Sequence, residues 1–318
     1  MKYFCTILLF MSSLACWAHD DENYLEIDML KSMEPGDKAA ILMVYFGTTH
    51  DDTKAVTIDS LTRRVKRTFK DLEVREAFTS RIVIRLLKDR GIEMQTPTDA
   101  LKKLKADGYT HVIVQSTNLI EGVEMTALRR EVREMENEFK DIRCSDPMLS
   151  VPYDYSSTIR ALAPRNINNQ APSDTATLWV GHGTHTSATA HYAMLDHMLK
   201  ARGYKNYYVV TLEGYPTLKG VLPQLENSGV KHIVLRPFMF VAGDHAKNDI
   251  ATDMKKTLES NGYKVEVLMQ GLGEVPRIQN IFINYIRFYL GHKPLDIMVK
   301  KKAYERPDHG YGRKSNNN

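Results

Sequence analysis

The chain has 318 residues, enough for two domains with cores of their own, and its 43% hydrophobic and 26% charged residues are ordinary for a globular protein. That composition excludes a disordered chain and a multi-spanning membrane protein. Lys and Arg number 43 against 39 Asp and Glu, a net charge of +4 concentrated between Lys300 and Lys314, so no nucleic-acid partner is expected.

At the amino end, Met1-Lys2, an apolar run from Tyr3 to Met11 and the small-residue stretch ending at Ala18 read as a secretory signal over residues 1–18. Its apolar core is shorter than the roughly 20 residues of a membrane-spanning helix. A lipoprotein reading ends at Ser13-Leu-Ala-Cys16 and makes Cys16 a lipid anchor. Both readings place the mature protein in the periplasm or otherwise outside the cytoplasm. Beyond Cys5 and Cys16 only Cys144 remains, so the exported form has no internal disulfide.

Hydrophobic periodicity then predicts a first α/β domain over residues 27–150. It opens with a strand at 40–46 and a helix at 53–70. A second helix near 80–89 has Ile82 and Leu86 on its apolar face, and a short helix at 98–108 runs into a strand at 111–115. The charged stretch 125–139 reads as a solvated helix. Pro147, Pro152, Pro164 and Pro172 mark a hinge, with room for a helix at 154–162. The second domain, 151–292, shows apolar strands at 176–180, 207–212 and 232–241 and a long last helix at 273–290. Residues 293–318 read as a basic flexible tail.

The two halves resemble one another. Ala40-Ile-Leu-Met-Val-Tyr-Phe-Gly-Thr-Thr49 aligns with Ala176-Thr-Leu-Trp-Val-Gly-His-Gly-Thr-His185, setting Phe46 opposite His182. Gly108-Tyr-Thr-His-Val-Ile-Val114 aligns with Gly229-Val-Lys-His-Ile-Val-Leu235, and the same offset sets Glu124 opposite His245.

His182, Glu213 and His245 each follow one of the second-half strands, 31 and 32 residues apart, about one strand-helix-strand unit. In an open parallel sheet the carboxyl ends of the strands share the edge where ligands bind. Two imidazoles and a carboxylate converging there can hold a divalent first-row metal and can accept protons. The chain has no phosphate-binding Gly-x-x-x-x-Gly-Lys-Ser/Thr loop, no Cys-x-x-Cys and no His-Glu-x-x-His, and Gly271-Leu-Gly-Glu274 is a glycine turn that falls short of a dinucleotide fingerprint.

Nine ordered blocks are similar to the CbiK type of sirohydrochlorin cobaltochelatase: Phe46-Gly-Thr48, Ala77-Phe-Thr-Ser80, Thr96-Pro97, Gly181-His-Gly183, Tyr192-Ala193 with Leu195-Asp-His197, Glu213 with Tyr215-Pro216, Val241-Ala-Gly-Asp-His-Ala246, Asn248-Asp249 and Gly271-Leu-Gly-Glu274. The resemblance covers roughly residues 40–290. It implies a class II chelatase-like α/β fold: two similar domains, each a parallel four-stranded sheet flanked by helices, with a cleft between them for a tetrapyrrole. It also implies that His182, Glu213 and His245 are the metal-binding and catalytic residues, with Co²⁺ as substrate metal and Fe²⁺ as a second candidate. Tyr45, Phe46 and Met239 then become candidates to pave the cleft, with a core role as the competing reading of each.

Other polar residues divide between roles. His185 reads either as a group supporting the ligands from behind or as an accessory ligand, His197 as structural, Asp244 and Asp249 as a helix-terminal acid pair, and His50 and Glu124 as cleft-facing if the duplication holds, His50 then being a candidate axial haem ligand. Two functional classes follow. One is an exported chelatase inserting Co²⁺ into sirohydrochlorin or a related ring, in cobalamin biosynthesis or an exported variant of that chemistry. The other is a periplasmic or lipid-anchored carrier of haem or metal, either of them open to forming homo-oligomers.

Overall fold

The computed structural model describes residues 23–163 and 174–305. The signal-like residues 1–18, Cys16, the second part of the proline-rich hinge and the end of the tail lie outside the described residues. The first half contains β1 (Tyr24–Glu26), β2 (Ala39–Tyr45), α1 (Asp51–Val56), α2 (Ile58–Thr68), β3 (Glu73–Phe78), α3 (Arg81–Asp89), α4 (Pro97–Ala106), β4 (His111–Ser116), α5 (Val123–Glu134) and β5 (Asp141–Cys144). After α6 (Pro152–Leu162) come β6 (Thr175–Gly183), α7 (Ala190–Ala201), β7 (Tyr207–Glu213), α8 (Leu218–Ser228), β8 (His232–Phe238), a π-helix (Ala246–Met254), α9 (Lys255–Ser260) and β9 (Lys264–Val267). The chain then returns through α10 (Pro276–Gly291), β10 (His292–Pro294) and α11 (Ile297–Tyr304).

Two parallel four-stranded sheets result, ordered β3-β2-β4-β5 and β7-β6-β8-β9. Counting strands within each half, both orders are 2-1-3-4, so the duplication extends to topology. Central strand β2, Ala-Ala-Ile-Leu-Met-Val-Tyr, is buried at every position, as expected where helices cover both faces of a parallel sheet.

Edge strands β3, β5 and β9 carry no continuous apolar run, and the hydrophobic pattern does not announce them. The helix expected at 53–70 starts earlier and divides at Thr57. In α3 the expected apolar face is reversed: Ile82 and Leu86 are 62% and 43% exposed, while Leu87 is buried and Val83 and Ile84 pack on the core. The strand expected at 232–241 stops at Phe238. Pro237 lies beyond Leu235, the last β8 residue paired with β9, so its missing N–H costs no bond on that side. The tail is also more structured than its composition suggests, because β10 pairs antiparallel with β1 and α11 follows, with Leu295 donating to the Asn23 carbonyl at 2.9 Å.

Helix α10 buries Ile278, Phe282, Ile283, Tyr285, Ile286, Phe288 and Tyr289 on one stripe and packs against β4 of the first sheet. One hydrophobic cluster therefore includes Tyr45 and Phe78 of the first sheet, Trp179 and Phe238 of the second, and Phe282 of α10. Arg143 locks this arrangement. Its fully buried guanidinium holds Asp141 at 2.6 Å and donates to the carbonyls of Ile27, Tyr289 and Leu290 at 2.9, 2.7 and 3.2 Å.

Candidate functional site

In a 2-1-3-4 sheet the connections from the first and third strands run to opposite sides, and the crevice between their carboxyl ends is the binding edge. His182, at the carboxyl end of β6, and His245, past the end of β8, flank that crevice. Their rings meet edge to face, with centroids 4.6 Å apart and planes at 83°. Glu213 ends β7 on the other side of β6, paired in register with Gly183.

Local structure sets each position. Gly183 has φ +86°, and a Cβ there would overlap the Glu213 carbonyl oxygen, so glycine lets the β6 and β7 ends close on each other. Its N–H points at the Tyr192 hydroxyl, 3.4 Å away, and burial pushes that phenol's pKa up, so Tyr192 stays neutral. Beyond Glu213 the chain turns through a cis Tyr215–Pro216 bond. Thr211 donates from both its N–H (2.8 Å) and its Oγ1 (3.0 Å) to the Pro216 carbonyl, and Thr189 exchanges two hydrogen bonds with the Tyr215 backbone. His245 leads directly into the π-helix, a rare form that concentrates at functional sites.

Among the described residues, no three His, Cys, Asp or Glu side chains are gathered as a ready metal cage. The structure brings His182 and His245 together. Glu213, half exposed, instead turns its carboxylate to His185, with Oε2 3.3 Å from Nε2. His182 Nδ1 lies 3.1 Å from the Gly183 carbonyl, and His245 Nδ1 lies 2.6 Å from Asp249 Oδ2.

The candidate ring contacts separate. Phe46, at the carboxyl end of β2, is 50% exposed and free to meet a flat ligand. Tyr45 is 1% exposed, with its hydroxyl 2.8 Å from Thr62 Oγ1 and its ring against Phe78 and Phe240. Strand alternation turns it into the core, so it supports the cleft from beneath and does not pave it. Met239 is half-buried and packs on the second core.

His50 does reach across to the second half. Lys247 approaches its Nδ1 at 3.3 Å, leaving Nε2 to donate to Asp244 at 2.8 Å, and Lys247 also lies 3.5 Å from Asp52. Asp244 is thus half of a clasp between the halves as well as a helix-terminal acid. The alignment of the two halves identifies His50 as cleft-facing, but only the fold shows its partner. His191 bonds Tyr155 at 2.5 Å between α7 and α6, His197 is exposed on α7, and Glu124 lies in the first turn of α5.

The family model for cobalt chelatase (CbiK) matches residues 39–290. A sirohydrochlorin cobaltochelatase of Salmonella typhimurium is 35% identical over 274 residues, covering 84% of this chain and 100% of that protein. Sirohydrochlorin cobaltochelatase CbiKC of Nitratidesulfovibrio vulgaris is 31% identical over 268 residues, covering 82% of this chain and 94% of that protein. Among solved structures, SirB from Bacillus subtilis with Fe³⁺ superposes with a TM-score of 0.57 at 16% identity, over 80% of this chain and 96% of SirB. A cobalt complex of SirB, from Bacillus subtilis subspecies spizizenii, gives 0.56 at 14%, over 80% of this chain and 95% of that one. These two likenesses bear out the class II chelatase-like fold. By its family match and its coverage of these relatives, the chain belongs to the CbiK family of cobalt chelatases.

Proposed function

We propose that this protein is a sirohydrochlorin cobaltochelatase, inserting Co²⁺ into the tetrapyrrole with loss of the two pyrrole N–H protons. The observation that carries the reading is the apposition of His182 and His245 at the switch crevice of the second sheet. Each Nδ1 faces an oxygen that only accepts, so each Nδ1 carries the proton and each Nε2 keeps a lone pair for the metal. Glu213 is the third ligand and a base. Its half-exposed carboxylate faces His185, so in this role it would turn from that partner toward the pair. Transfer of a pyrrole proton to a positioned imidazole or carboxylate contributes about 10²–10⁴-fold. Phe46 at the opposing strand end meets the ring.

The same donor set suits Fe²⁺, since nitrogen and oxygen sites bind first-row divalent ions in a common order and metal supply decides between them. The signal-like residues 1–18 support an extracytoplasmic site of action, which cell fractionation tests directly.

The deciding experiment is anaerobic insertion of Co²⁺ into sirohydrochlorin by the chain from residue 19, followed by absorbance beside the His182→Ala and Glu213→Gln variants. Insertion well above the uncatalysed rate that falls at least 10²-fold in both variants is expected. Stable ring or haem binding with no insertion would replace this reading with a carrier.

A further inference from the structure

The two imidazoles at the crevice are not held alike. His182 leans on a neutral backbone carbonyl, that of Gly183, at 3.1 Å. His245 leans on a carboxylate, Asp249 Oδ2, at 2.6 Å, a hydrogen bond to a charged acceptor and so of the stronger, charge-assisted kind. Asp249 lies four residues on from His245, in the first turn of the π-helix.

We propose that Asp249 is a positioning residue for the metal step, fixing the His245 ring with Nδ1 protonated and Nε2 presented to the ion, and strengthening that nitrogen as a donor. A carboxylate behind a ligating imidazole orients the ring and raises its basicity, and losing such a partner typically costs 10–100-fold in metal affinity. His245 is thereby the anchoring ligand, and His182, backed by a neutral group, the weaker one. That inequality suits a site that must give its metal away, because one ligand can hold the ion while the other yields to the ring nitrogens. The competing role for Asp249 is a helix-terminal acid that steadies the first turn through the helix dipole. Such a role acts on stability and leaves the environment of the bound metal unchanged.

This inference rests on the proposed His182, His245 site, and the experiment separates the two. Co²⁺ is titrated into the metal-free full chain, followed by its visible ligand-field absorption and by competition with a chromogenic chelator. Asp249→Ala, Asp249→Asn and His245→Ala are each compared with the unsubstituted chain, and urea unfolding is measured on every variant. Asp249→Ala is expected to weaken Co²⁺ binding by about 10–100-fold and to shift its absorption, at an unchanged urea midpoint. Asp249→Asn, whose amide oxygen still accepts from Nδ1, is expected to fall between. Co²⁺ affinity and spectrum unchanged in Asp249→Ala, with His245→Ala defective, would overturn the role of Asp249 alone. A lowered urea midpoint with an unchanged Co²⁺ spectrum would make Asp249 a helix-terminal acid. Unchanged binding in His245→Ala would remove the site itself, and this inference with it.

Discussion

Gly183→Ala tests how the candidate site is built without touching a proposed ligand. Two costs are separable. The φ of +86° lies in the left-handed region, where an L side chain costs about 1–2 kcal/mol. The added Cβ would also overlap the Glu213 carbonyl oxygen and come within 2.9 Å of Thr211 Cβ. The first of these neighbours is backbone, so no rotamer change relieves it, and the β6 and β7 ends must part at a cost of about 1–3 kcal/mol, the usual range for overpacking. Together the substitution should destabilise the fold by about 2–5 kcal/mol and move Glu213 away from His182. Gly229→Ala is the control: Gly229 ends α8 with φ +73°, and a methyl group added there would meet nothing within 4 Å, so only the backbone cost of about 1–2 kcal/mol applies. Urea unfolding of both variants isolates the overlap, and Co²⁺ titration reads its effect on the site. Equal urea midpoints for the two variants, with Gly183→Ala binding Co²⁺ normally, would refute the close seating of Glu213 against Gly183.

Arg143→Met should destabilise the protein by about 3–5 kcal/mol, because it removes the closest cation from the buried Asp141 and leaves it Lys293 at 3.3 Å; the Asp141→Asn, Arg143→Met pair should cost less than the sum of its parts in a double-mutant cycle by urea unfolding. Burial alone would raise the Asp146 carboxyl, but Arg129 at 2.6 Å and the Tyr24 hydroxyl at 2.7 Å hold its pKa below the ordinary carboxylate value. The folded pKa being depressed, its stabilisation is present above the unfolded value of about 3.9 and is lost as pH falls through the folded pKa, so Asp146→Asn should flatten the acid limb of a stability–pH profile. Burial pushes the Cys144 thiol up to about 12, so thiol reagents at about pH 8 should label it far more slowly in the native than in the urea-unfolded protein.

The central strands, and the placement of His182, Glu213 and His245 at the strand ends of one sheet edge, were legible because buried parallel strands are continuous apolar runs and the three residues follow at 31 and 32 positions. The edge strands were not: Glu73–Phe78 and Asp141–Cys144 alternate charge with apolar residues, and their status depends on pairing with β2 and β4. Tyr45 and Phe46 are adjacent and both aromatic, and only the pleat decides that the first enters the core and the second faces out. Asp249 reads from sequence as a helix-terminal acid; its bond to His245 depends on the turn that the chain takes after β8.

The proline-rich stretch reads from sequence as a hinge, but the aromatic cluster that joins the two halves argues against free movement about it. Tyr45, from the first half, lies 5.6 Å from Phe240 of the second, and Phe240 lies 5.7 Å from Phe282 on the helix that returns to the first. Swinging one lobe away would expose all three rings to water, a cost that rises with every ångström of opening. A macrocycle bound at this sheet edge would then be accommodated mainly by side chains and turns at the rim: Phe46, the Tyr215 turn, and the clasp of His50 with Asp244.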